Sequence, residues 1–183
     1  MRNILDIFEI RIHGRGGQGS VTAAELIAQA AFYEGRYSQA FPNFGVERRG
    51  APVEAFARIS DHPIRLRAQV YAPDFVIVQD PTLLNAVDVF SGLKAGGGVL
   101  INSEHVDLGG VPTKNCHIIP VTKLAIEILG RPVANTGLLA AFAKITGLIK
   151  FDSLERAVRE QFADKPDLID KNIELMKVVN KMI

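Results

Sequence analysis

Gly14-x-Gly16-x-x-Gly19, followed at once by Ser20, is the first place in this chain where residue types and spacing point to chemistry. Ile10-Arg-Ile-His13 before it has a strand pattern, and Ser20 to Tyr33 after it has a helix pattern. Such a turn leaves backbone N–H groups unpaired at a helix start, where they can face an anion or a partner chain. Glycine has no β-carbon, so a phosphate or another backbone can come close. A second place is Glu47-Arg48-Arg49-Gly50. Two adjacent guanidiniums make a fork suited to phosphate or carboxylate. The plainer reading is a solvated charged loop with Gly50 at positive φ. The candidate binding residues are Gly14, Gly16, Gly17, Gln18, Gly19, Arg48 and Arg49; no catalytic or metal-ligating residue is assigned.

Other chemistries are poorly served. The glycine pattern matches the dinucleotide fingerprint in letters and in context. Its acidic partner is expected about 20 residues on, at the end of the next strand. That region is Tyr37-Ser-Gln-Ala-Phe-Pro-Asn-Phe44, with no Asp or Glu, and Glu47 comes too late in a basic turn. No P-loop, no thiamine diphosphate signature and no His pair at zinc spacing is present. The four histidines His13, His62, His105 and His117 are scattered; His13 stands out because it abuts the glycine turn. The one cysteine, Cys116, reads as a small buried hydrophobe. It allows no internal disulfide, and an iron–sulfur cluster takes about four Cys ligands.

The 183 residues fit one domain with a real core, at 48% hydrophobic and 22% charged. A net charge of +1 gives no electrostatic case for nucleic acid or an anionic membrane, although Arg48, Arg49, Arg58, Arg65 and Arg67 crowd one region. No apolar run approaches the roughly 20 residues of a membrane span. The N-terminus lacks a signal-peptide core, so a cytoplasmic location is expected.

The elements that must position these residues follow from periodicity. Strand patterns cover Phe8 to His13, Val53 to Ile59, Phe75 to Val78, Gly97 to Ile101 and Cys116 to Val121, with Tyr37 to Phe44 extended and broken by Pro42. Ile64 to Leu66 is expected to pair with Val53 to Ile59. Short apolar runs such as Phe75-Val-Ile-Val78 suit strands buried on both faces of a parallel sheet. Ala23, Leu26, Ile27, Ala30 and Ala31 form one helical stripe that Gly35 ends. Short helical patterns lie around Leu83 to Leu93 and Lys123 to Leu129. Asn135 to Leu148 is apolar nearly all round, Asp152-x-x-Glu155 resembles a capping box, and Pro166 opens the last helix. Together these predict a three-layer α/β/α sandwich with a mostly parallel, mixed sheet, and a helical portion from about residue 135.

Three pieces in order carry a resemblance: Gly14-Arg-Gly-Gly-Gln-Gly19, Phe44-Gly-Val-Glu-Arg-Arg-Gly-Ala-Pro-Val-Glu-Ala-Phe-Ala-Arg-Ile59 and Asn135-Thr-Gly-Leu-Leu139. The chain resembles the gamma subunits of the 2-oxoacid:ferredoxin oxidoreductases over roughly Phe8 to Leu148. The Glu-Arg-Arg-Gly-Ala-Pro-Val form is closest to the pyruvate and branched-chain members. The resemblance implies one gamma-type domain over 1–183, assembled with alpha, beta and delta subunits. It implies that thiamine diphosphate, Mg and iron–sulfur clusters sit on those partners, with coenzyme A as co-substrate and ferredoxin as acceptor. The reaction implied is oxidative decarboxylation of pyruvate to acetyl-CoA and CO2, with no activity from this chain alone. The glycine turn, Arg48 and Arg49 would then meet coenzyme A phosphates or a partner surface. From the residues themselves, a self-contained NAD(P)-binding domain and a purely structural module remain the alternatives.

Overall fold

The computed structural model describes residues 7–43, 50–105, 111 and 113–183. In chain order these form β1 (Phe8–Arg15), α1 (Ser20–Tyr33), β2 (Tyr37–Pro42), β3 (Pro52–Ser60), β4 (Phe75–Val78), a 3-10 helix (Pro81–Asn85), β5 (Gly98–Ile101), β6 (Cys116–Ile118), α2 (Val121–Leu129), α3 (Asn135–Thr146), α4 (Phe151–Gln161) and α5 (Pro166–Met182). The strands make one sheet in the order β2-β3-β1-β4-β5-β6. β1, β4, β5 and β6 run parallel. β3 runs against both β1 and β2. The expected α/β class and the mixed, mostly parallel sheet are observed, with β3 the single reversed strand.

Alternation along the strands sends one set of side chains to a helical layer. Ile10, Ile12, Ala55, Ala57, Ile59, Phe75, Ile77 and Leu100 join α1 to α5 in one buried cluster. Each fully buried Ile, Leu or Phe contributes about 1.5–3 kcal/mol to folding. The small residues Ala23, Ala24, Ala30 and Ala31 let α1 lie close on the sheet. α3 is buried all round because the sheet lies on one side and α5 on the other; the Phe142 ring meets Phe75 edge-on at 5.1 Å. A β-carbon on Gly137 would stand 2.4 Å from Val121, so that glycine sets how closely α2 approaches α3.

The opposite face is covered differently. Val76, Val78, Val99 and Ile101 pack under the 3-10 helix and Val89. Towards β3, that face is polar: Arg11, His13 and Arg58 are all buried there. The sheet's edge strands are β6, with 3 residues, and β2, with 6 residues ending at Pro42.

Some sequence expectations are corrected. Ile64 to Leu66 forms no strand, because β3 already has β1 and β2 as partners on its two sides. Leu83 to Leu93 yields only the 3-10 helix; Asp88 accepts the Phe90 N–H and Gly92 takes φ 69°, which turns the chain away from a helix. The box at Asp152 does not form: Lys150 is the N-cap, without a side-chain bond, and Asp152 lies in the first turn, where its charge still suits the helix dipole.

Candidate functional site

The glycine turn lies at the carboxyl end of β1. Gly14 and Arg15 remain in the ladder, opposite Val53 and Pro52. The Gly16 N–H donates to the Ala51 carbonyl at 3.0 Å, and the Gly50 N–H to the Gly16 carbonyl at 3.2 Å. Gly17 and Gly19 take φ of 96° and 79°, the left-handed region open to glycine. Among the described residues nothing would meet a β-carbon on Gly17 within 4 Å, so none of them closes this side of the turn. Gly19 caps α1 without a side-chain bond, and the first helical bond runs from the Ala23 N–H to the Gly19 carbonyl at 2.9 Å. The N–H groups of Ser20, Val21 and Thr22 therefore precede the intrahelical ladder. Gly14, Gly16, Gly17, Gln18 and Gly19 are brought together as one turn. Arg48 and Arg49 lie outside the described residues.

A set of side chains across the turn went unassigned in the sequence. The Gln18 amide folds back: its Oε1 accepts the Arg15 N–H at 2.8 Å and its Nε2 donates to Asp80 at 3.0 Å. Arg15 lies 3.2 Å from the Asp80 carboxylate, and also donates to Thr82 and to the Gly50 carbonyl. Ser20 Oγ donates to Gln79 Oε1 at 2.7 Å. Asn102 donates to the Gln79 carbonyl and to Thr122, at the start of α2, at 2.7 Å each. Burial pushes the Asp80 carboxyl up, but the hydrogen bonds from Thr82 and Gln18 and the charge of Arg15 outweigh it and leave it below the usual range. Gln79 and Asn102 each follow the last residue of a parallel strand, β4 and β5, where the chain leaves the sheet in α/β folds. That position was the one available signal for them.

His13 is 2% exposed beside the turn. Its Nε2 accepts from Arg11 Nε at 3.0 Å, which puts the ring proton on Nδ1, 3.6 Å from the Glu54 carboxylate. Burial, then the Arg11 charge, pushes His13 down to about 3, so the ring is neutral and the carboxylate does not reverse this. The neutral imidazole is thus held between Arg11 and Glu54.

A cavity of about 860 Å³ opens at the amino ends of the strands, beside Phe8, Phe75 and Gly98, away from the glycine turn. Its charged walls are already paired, Arg36 with Asp61 and Lys94 with Asp74.

The dinucleotide reading meets a geometric obstacle. It needs the strand that follows α1 to lie beside β1 and to offer an acid to a ribose at its carboxyl end. Here that strand, β2, is separated from β1 by the antiparallel β3 and ends at Pro42, with no acid in it. A profile described as "Pyruvate ferredoxin/flavodoxin oxidoreductase" matches residues 9–179. The chain belongs to that family. The pyruvate synthase subunit PorC of Methanothermobacter marburgensis is 55% identical over 174 residues, 94% of this chain and 95% of the relative. The pyruvate/ketoisovalerate oxidoreductases common subunit gamma of Pyrococcus furiosus is 52% identical, with 91% of each chain covered. The crystal structure of the pyruvate oxidoreductase subunit PORC of Thermotoga maritima superposes with a TM-score of 0.84 at 32% identity, over 97% of each chain. The resemblance read from the three motifs, to a gamma subunit of the 2-oxoacid:ferredoxin oxidoreductases, is borne out, and the third motif packs on the first: Asn135 lies against Gly19. Membership of the oxidoreductase family sits on a chain with one thiol, Cys116, half-buried and with its pKa pushed up by burial. That residue set does not fit an iron–sulfur cluster. Among the described residues no three His, Cys, Asp or Glu side chains gather as a metal site, and no helix is long and apolar enough to cross a membrane.

Proposed function

We propose that this chain acts within a cytoplasmic pyruvate:ferredoxin oxidoreductase, as a single domain over 1–183 assembled with alpha, beta and delta subunits. The end-to-end likeness to PorC and common gamma subunits carries this reading. In it, thiamine diphosphate, Mg and the iron–sulfur clusters belong to the partner subunits, and ferredoxin takes the electrons. Thiamine diphosphate there supplies the electron sink for loss of CO2. This chain's own part is to help bind coenzyme A as it approaches. The glycine turn supports that role: no described residue closes it at Gly17, it opens α1 without a side-chain cap, and it can offer N–H groups to a phosphate. Arg48 and Arg49 would add charge-assisted, bidentate contacts.

The test is steady-state kinetics of the assembled enzyme carrying Arg48→Ala and Arg49→Ala together. A raised KM for coenzyme A with normal assembly is expected, because uniform binding is lost. Lys at both positions should rescue only in part, since it lacks the planar fork. Failure to co-purify would instead make the turn a subunit contact. Unchanged assembly and kinetics would remove the two arginines from the site.

A further inference from the structure

Residues 61–73 cross the polar half of the sheet as an irregular strap, and its backbone is held at several points. Gln39 donates to the Ile64 carbonyl at 3.2 Å. Arg58, 1% exposed, donates to the Ala68 and Gln69 carbonyls at 2.7 and 3.3 Å while pairing with Glu9 at 2.9 Å. Among the described residues, Arg58 Nη1 is buried without a hydrogen-bond partner. Gln69 reaches Asn43, Val70 is buried, and Gly92 lies so close to the Tyr71 carbonyl that a β-carbon there would collide with it. A buried guanidinium with an unmatched nitrogen is a costly way to hold a loop. What this anchoring leaves outside is Arg65, Leu66, Arg67 and Tyr71, with Tyr71 71% and Leu66 47% exposed. Among the described residues neither Arg65 nor Arg67 has a carboxylate within 4.0 Å. The strap's one acid, Asp61, is taken by Arg36 at 2.9 Å.

We propose that the strap is a preformed docking surface for another subunit of the same oxidoreductase, one that offers an apolar pocket rimmed by Asp or Glu. The proposal rests on the reading of this chain as one subunit of a larger enzyme. Tyr and Arg are the residue types that dominate binding hot spots, and exposed apolar groups ringed by unmatched charge mark an interface. Ordering the loop in advance removes an entropic cost of association. A second copy of this chain is the poorer occupant, because a two-fold pair would bring the arginines of both copies into one patch.

The experiment uses the co-expressed complex with a tag on this chain. Tyr71 is replaced by a photo-reactive benzoylphenylalanine, and the cross-linked peptide is identified by mass spectrometry. A stoichiometric cross-link to one other subunit, next to acidic residues, is expected. Tyr71→Ala should weaken the retention of that subunit roughly thirtyfold, as a hot-spot residue would. Arg65→Glu with Arg67→Glu should weaken it further, whereas Lys177→Glu with Lys181→Glu, a matched reversal on exposed α5 positions, should not. A cross-link only to a second copy, only within this chain, or only to a protein that washes off with salt would overturn the proposal. So would equal loss in the α5 control, or variants that assemble like the parent. If the unsubstituted chain captured no subunit at all, the multi-subunit reading itself would fail, and the two failures are thereby told apart.

Discussion

Gly19 and Asn135 are in contact across the molecule: a β-carbon on Gly19 would stand 2.7 Å from the Asn135 side-chain nitrogen. The contact joins the start of α1 to the start of α3. Asn135 is itself held, accepting the Thr136 N–H at 2.7 Å, so it has little room to yield.

Gly19→Ala should therefore destabilise the protein twice over, by the left-handed φ and by the collision. The φ alone is worth about 1–2 kcal/mol. Pairing it with Asn135→Ala should return the steric part and leave the backbone part. Urea unfolding of the three variants measures this; purely additive losses would show that no collision exists.

Gly14 tests the other end of the turn. A β-carbon there would lie 2.3 Å from Ser20 Oγ and 2.5 Å from Gln79 Oε1. Gly14→Ala should cost about 1–3 kcal/mol by overpacking, and Ser20→Ala should relieve part of that loss. Midpoints of thermal unfolding give the comparison, and an unshifted Gly14→Ala midpoint would contradict the packing described.

Asp80 should matter more than a surface acid. It caps the 3-10 helix through the Thr82 N–H and receives Gln18 and Arg15. Asp80→Ala removes the cap and should cost about 1 kcal/mol, whereas Asn can keep the cap and removes only the charge. Its folded pKa lies below the ordinary value, so its contribution is present above about pH 4 and is lost as pH falls through the folded value. Asp80→Asn should lower stability at neutral pH and narrow the gap to the parent in acid; a pH-independent difference would count against the ion pair.

His13 governs a wider window. Its pKa falls from 6.5 to about 3 on folding, so the unfolded chain binds the proton more readily. Stability from this group is full above about pH 6.5 and drains as pH falls towards 3, at up to about 1.4 kcal/mol per unit. His13→Gln keeps an acceptor for Arg11 and cannot titrate. Its acid-unfolding profile should be flatter than the parent's over that range, and parallel profiles would refute the assignment.

Periodicity reads well where one face of an element alone decides its burial. α1 and the proline start of α5 lie where the sequence puts them, because each helix turns one face to the core, and β4 does so as an unbroken apolar run buried on both faces. It reads badly where polar residues are buried. Glu9, Arg11 and His13 alternate with isoleucines as if they faced water, yet Arg11 and His13 are covered by chain more than 70 residues away. Val53 to Leu66 suggested a hairpin, but which strands flank β3 is a question of the whole sheet, to which three alternating residues are blind. At the site, the glycine turn was legible from spacing. Asp80 and Gln79 were not, because their partners Gln18, Arg15 and Ser20 come together only after the β1–β4 pairing forms.

The edges of the sheet carry a consequence for assembly. A partner can extend a sheet only along a run of free N–H and C=O groups. β6 provides 3 residues and β2 closes on a proline that has no N–H to give. Strand addition is thus discouraged at the β6 margin and at the Pro42 end of β2, which favours recognition of this chain by a neighbouring subunit through its side chains. Recognition of that kind depends on shape and charge, and those can diverge between relatives while the sheet beneath stays the same.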